Sequence, residues 1–254
     1  MIIEKEDRNF LILISIFILT LLLTFIFFYP KFDIEKEDIV YKGNLSIQDT
    51  KDLILNNIQE GDIVLNKPKS FSSYYNYIET REDLLLKNQI FFFFYYNLFD
   101  NILIKSMGNE GYWHTNLYIG NGTLNSLFIL GIEQDNIDES FIKGNYIKIL
   151  RVNTPKEIKS KAIKSADQHL RSQDIYYSLK NGLIIVFARS INLNYIFDIE
   201  DKQLVCSSYT ALLYKDISFN QKKHYTYITP ADIEDSNIVK IILVTKDDGV
   251  YYGR

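Results

Sequence analysis

From Phe10 to Tyr29 the chain is an unbroken run of Leu, Ile and Phe, interrupted only by Ser15, Thr20 and Thr24. A segment of this kind cannot be placed in an ordinary water-soluble surface. Its length matches the roughly 20 residues that carry a helix across about 30 Å of hydrocarbon. It reads as a transmembrane helix over residues 9–29, behind a short tail at 1–8. No small-x-small cleavage site precedes Pro30 and Lys31, so an uncleaved anchor fits better than a removed signal peptide. Orientation is left open, because Lys5 and Arg8 on one side are matched by Lys31, Lys36 and Lys42 on the other.

With the anchor set aside, the remainder of the 254 residues is enough for one substantial core, at 47% hydrophobic and 24% charged overall. A formal net charge of -4, with lysines scattered among acidic residues, gives no basic stripe for nucleic acid, and that partner is set aside. One cysteine excludes an intrachain disulfide. Three histidines without metal-ligand spacing do not make a recognisable ligand set, so no metal or other cofactor is expected.

Residues 30–55 read as a charged linker ending in a short helix, and 56–254 as the globular domain. Glu60-Gly61-Asp62 forms a turn into a first strand at Ile63-Val64-Leu65, with Asp62 holding the turn. An aromatic-rich insertion follows at about 66–110. Its centre, Ile90 to Ile104, suits a buried or site-covering helix better than a second span. Gly120-Asn121-Gly122 then separates two β-rich runs, the strongest short hairpin signal. The second of those strands is expected from Thr123 to about Leu130, and a third from Tyr146 to Val152. A helix is expected from Thr154-Pro155 to about Arg171. Gly182 to Ser190 is apolar and of undecided type, Cys206 to Tyr214 is a helix, Thr229-Pro230-Ala231-Asp232 a turn, and Val239 to Thr245 the closing strand.

Two residues in this layout carry chemistry. His114 opens the strand before the hairpin, and Cys206 stands where Gln203-Leu204-Val205 turns into a helix. A thiol at a helix N-terminus gains from the positive end of the macrodipole, and a neighbouring imidazole can accept its proton, which together favour a thiolate near neutral pH. The first backbone N–H groups of the same helix can hold an oxyanion. His169, late in a helix beside Arg171, and His224, after Lys222 and Lys223, look solvated and less suited.

The landmarks Gly61-Asp62-Ile63-Val64-Leu65, Trp113-His114-Thr115-Asn116-Leu117-Tyr118-Ile119-Gly120-Asn121-Gly122, Val205-Cys206-Ser207-Ser208-Tyr209 and Thr229-Pro230-Ala231-Asp232 span roughly Ile58 to Val244. In this order the chain resembles the circularly permuted branch of the NlpC-like papain-fold hydrolases, the YiiX-like permuted amidases, to which a group of poxvirus proteins also belongs. The resemblance implies an α+β, papain-like fold of permuted topology, with an antiparallel sheet packed against helices and the histidine preceding the cysteine. It implies Cys206 as nucleophile and His114 as general base, with a third polar group about a dozen residues after the histidine to orient the ring. That position falls on Ser126 with Asn125 beside it. Asn125 is preferred because an amide oxygen can fix the imidazole tautomer, and Ser126 and Glu133 are the alternatives. Ser207 and Tyr195 are implied near the oxyanion.

The function expected is a membrane-anchored cysteine hydrolase that cleaves an amide or ester. Its substrate would be a peptide, an isopeptide or a lipid-linked amide. Three rivals stand beside it: an acyltransferase on the same scaffold, a non-catalytic papain-like binding module, and a structural membrane protein in which His114 and Cys206 lie far apart.

Overall fold

The computed structural model describes residues 39–69, 112, 114–128, 131–190, 199–247 and 249–253. The anchor at 9–29, most of the insertion at 66–110, and Tyr195 lie outside the described residues. No helix among the described residues is long and apolar enough to cross a membrane.

The fold is α+β, built on one eight-stranded sheet. Its strands are β1 (Ile39–Gly43), β2 (Ile63–Pro68), β3 (His114–Gly120), β4 (Thr123–Phe128), β5 (Gly131–Asn136), β6 (Asn145–Val152), β9 (Val239–Lys246) and β10 (Gly249–Gly253). They lie in the order β1-β10-β9-β6-β2-β3-β4-β5, and every neighbouring pair is antiparallel. Five of the helices are α1 (Ile47–Asn57), α2 (Glu139–Gly144), α3 (Lys156–Ser172), α4 (Leu179–Ser190) and α5 (Cys206–Leu213). A short α6 (Pro230–Glu234) follows, and β7 (Tyr176–Tyr177) pairs in parallel with β8 (Gln203–Leu204) just before Cys206.

Both faces of the sheet are covered, which explains why β2 reads as a continuous apolar run instead of an alternating one. Ile63, Leu65, Leu117, Leu127 and Leu150 pack with Ala162 and Ala166 of α3 and Tyr209 of α5. The alternate residues Val64, Tyr118, Leu124, Ile147 and Ile149 pack with Ile54 of α1 and Phe141 of α2. The hairpin forms where expected, with Asn121 at φ 52 and Gly122 at φ 77, the pair of positive values that a tight turn matched to strand twist requires.

Several expectations need correction. The stretch 30–55 contains β1 and most of α1, so the sheet domain begins earlier than the charged composition suggested, and β1 is held by pairing with β10. Within the described residues the strand after the hairpin runs to Phe128, and a separate β5, not expected, turns back along it. The undecided apolar segment is helix α4. Thr229 to Asp232 is a helix start with a reciprocal capping box: Thr229 Oγ1 accepts from the Asp232 N–H, and the Asp232 carboxylate accepts from the Thr229 N–H. Val239 to Lys246 is followed by β10, so it does not close the fold.

The outer edge of β5 is partly covered by a side chain. Gln173, left-handed at φ 48, ends α3, and its carboxamide accepts from the Ile132 N–H (3.2 Å) and donates to the Ile132 carbonyl (2.9 Å). The amide thus stands in for one residue of a neighbouring strand, which protects an exposed sheet edge.

Candidate active site

β3 is held differently on its two sides. Its register with β2 runs unbroken from Leu117 opposite Ile63 to His114 opposite Asn66. Its pairing with β4 runs from the hairpin only as far as Leu117 opposite Asn125. The Tyr118 N–H bonds to the Asp62 carbonyl on the β2 side, so by alternation the Thr115 N–H points toward β4, where the ladder has already stopped. Cys206 fills that place. Its sulfur receives the Thr115 N–H, with the Thr115 hydroxyl beside it and the N–H groups of Cys206 and Ser207 from its own helix terminus. His114 is the next residue out along β3, and its ring meets Phe128 of β4 edge-on, with centroids 5.6 Å apart. The opened end of the β3–β4 pair therefore brings the cysteine-bearing start of α5 onto the Thr115 N–H, while the His114 ring lies against Phe128 on the other strand phase.

α5 is fixed in this position by its first-turn hydroxyls. Ser207 Oγ donates to the Ile228 carbonyl (2.7 Å) and Ser208 Oγ to the Thr226 carbonyl (2.7 Å), in the segment that leads into α6. The Ser207 hydroxyl, expected near the oxyanion, is thus committed to anchoring the helix, while its backbone N–H faces the sulfur. Further along α5, the Tyr209 hydroxyl donates to Asn125 Oδ1 (3.0 Å).

That last bond bears on the third residue. Asn125, 1% exposed, pairs with Leu117 and projects toward α5. Its amide oxygen is held by Tyr209, and its Nδ2 has no hydrogen-bond partner among the described residues. Ser126 lies opposite Glu133 and has the strand phase of Asn116 and His114, not of Asn125. The phase of the strands therefore matches Ser126, with Glu133 next to it, to the histidine better than Asn125.

The electrostatics differ from the sequence expectation. Cys206 is 5% exposed, and burial pushes its thiol pKa up in spite of the hydrogen bonds from Thr115 and Ser207 that favour the thiolate. The thiolate near neutrality expected from a helix terminus is not the resting state. A consequence for stability follows from proton linkage. A thiol held above its unfolded value of about 8.5 contributes stability that is complete below that pH and is lost as pH rises through the folded value. The melting temperature is expected to fall as pH rises above about 8.5, and Cys206→Ser is expected to flatten that slope. Equal slopes in the two proteins would show that the thiol does not contribute.

His169 is less solvated than expected. Its Nδ1 lies 2.8 Å from Asp174 Oδ1 and its ring meets Tyr209 at 6.2 Å. Ser172 and His169 hold the Asp174 carboxyl below the usual range. Among the described residues no group of three or more His, Cys, Asp or Glu side chains is placed to hold a metal ion.

No family model matches the chain, and no curated protein matches it.

Proposed function

We propose that the chain is a membrane-anchored cysteine hydrolase of the amidase or peptidase type on a permuted papain-like domain. The observation that carries the reading is the contact of the Cys206 sulfur with Thr115, the residue next to His114, at the start of α5. In the proposed reaction His114 takes the thiol proton as the sulfur attacks the substrate carbonyl carbon. The tetrahedral oxyanion is held by the Cys206 and Ser207 N–H groups. The carbonyl C–N or C–O bond then breaks, and the leaving amine or alcohol takes the proton from the imidazolium. Water, giving its proton to His114, attacks the thioester; the acid departs and the sulfur recovers its proton. Ser126 is the group that orients the ring, with Glu133 next to it. Peptide, isopeptide and lipid-linked amides are the substrate classes, reached from the membrane to which the segment at 9–29 attaches the domain.

Acid quenching after mixing with a panel of peptidyl and fatty-acyl p-nitrophenyl esters tests this. Mass spectrometry is expected to find one acyl group per chain, on Cys206, accumulating much more slowly in His114→Ala. Folded protein that acquires no acyl group from any member of the panel would end the reading.

The second reading, a non-catalytic papain-like binding module, is favoured by one observation: burial holds the thiol protonated. It predicts that His114→Ala leaves the reactivity of Cys206 unchanged.

A further inference from the structure

One buried ion pair is used by none of the steps above, and it lies between the segment that leads to His114 and the segment that anchors the cysteine helix. Lys148 of β6 and Glu234 of α6 meet at 2.6 Å with both side chains almost wholly out of solvent. Lys148 lies opposite Leu65 of β2, and Leu65 lies opposite Thr115 of β3. Cross-strand partners share a sheet face, so the lysine projects on the face of Thr115 and of the cysteine helix, two strands and about 10 Å away, while His114, the next residue, has the opposite phase. The Lys148 ammonium also sits over the ring of Tyr112, 4.6 Å from its centroid. Tyr112 is two residues before His114. On the other side, Glu234 ends α6, which starts just after Ile228, the residue whose carbonyl anchors the Ser207 hydroxyl of the cysteine helix.

We infer that the Lys148–Glu234 pair, acting through Tyr112 on one side and α6 on the other, positions His114 relative to Cys206. Lys148 and Glu234 are positioning residues; neither touches substrate. A buried ion pair contributes little net stability compared with apolar side chains of similar volume, because desolvation offsets attraction. What it supplies is direction: the ammonium meets the Glu234 carboxylate and the face of the Tyr112 ring, and both belong to segments leading to the site. The inference rests on the hydrolase reading for its catalytic meaning, but its geometry can be tested without a substrate.

The deciding variant is Lys148→Met combined with Glu234→Leu, since replacing both charges is often neutral or stabilising whereas removing one strands the other. The protein carries three histidines, so isotope labelling of histidine gives three ring signals, with His114 identified by His114→Gln. In the double variant the His114 signal is expected to move away from its Phe128-shifted position while those of His169 and His224 stay. Iodoacetamide labelling of Cys206 at pH 6.5 is expected to slow by tens to a hundredfold, the usual penalty for a displacement of about 1 Å. A folded double variant with an unmoved His114 signal overturns the inference. If the double variant does not fold, Tyr112→Leu decides in its place, because it keeps both charges and an apolar side chain while removing the aromatic face under the ammonium; Tyr112→Phe should behave as wild type. If wild-type labelling is itself indifferent to His114→Ala, the hydrolase reading is lost, and the positioning role is still decided by the His114 signal.

Discussion

Replacing His114 with Ala is expected to slow alkylation of Cys206 by about 10²- to 10⁴-fold at pH 6 to 7, the usual contribution of a positioned general base. The size follows from the state of the sulfur. Burial holds the thiol protonated against the N–H donors around it, so a reagent meets thiolate only when a base removes the proton. The Thr115 N–H donates a hydrogen bond to the sulfur but cannot accept its proton. Among residues neighbouring Thr115 in the chain, His114 alone has an acceptor suited to neutral pH. Because the chain has a single cysteine, iodoacetamide uptake followed by mass spectrometry reports on Cys206 without correction. The wild-type profile should rise through the histidine range, and that inflection should vanish in His114→Ala while the far higher thiol ionisation remains. A profile that shows only the thiol step in both proteins favours the binding-module reading.

Asp62→Ala is expected to lower the unfolding free energy by about 3 kcal/mol, near the lower end for breaking a buried pair. Asp62 is fully buried and gathers four groups: the Gln59 N–H at 2.9 Å, Arg151 Nε at 3.2 Å, an Arg151 terminal nitrogen at 2.9 Å, and Lys159 Nζ at 3.9 Å. Removing the carboxylate leaves the guanidinium with the Asn57 carbonyl, 2.6 Å away. The Arg151 side chain is 27% exposed, so water can take over part of its solvation, and this keeps the loss from the upper end of the range. Asp62→Asn retains an acceptor for Gln59 and should lose roughly half as much. The turn matters to the site because it sets the start of β2, where Gly61 also receives the Tyr214 hydroxyl on its carbonyl, and β2 carries the register of His114 and Thr115. Urea unfolding at constant slope measures both losses; a change below about 1 kcal/mol for the alanine variant would show that the ion pair is only a surface-like contact.

The features that could be read from the sequence were the local ones. Asn121-Gly122 specifies its own turn, Pro155 starts a helix because its missing N–H costs nothing there, and Val205-Cys206-Ser207-Ser208 switches from extended to helical within a few residues. Strand β5, Gly-Ile-Glu-Gln-Asp-Asn, was missed because an edge strand with polar residues has no apolar alternation to detect. Thr229 to Asp232 could have been recognised as a helix start, since Thr with Asp three residues on and Pro between them is a capping pattern. Tyr209 to Asn125, Lys148 to Glu234 and Arg151 to Asp62 join residues more than eighty positions apart, and no pattern along the chain announces them.

Read alone, the chain sequence determined the apolar segment at its start, the hairpin strand that begins with His114, and the helix that begins with Cys206, because turn chemistry, capping and periodicity act over a few residues. Only the tertiary structure decided that β4 parts from β3 just where the sulfur enters, that Asn125 faces Tyr209 instead of sharing the histidine's strand phase, and that the thiol rests protonated. Each of these depends on register and burial, and both are set by which distant strands and helices exclude water from the same place.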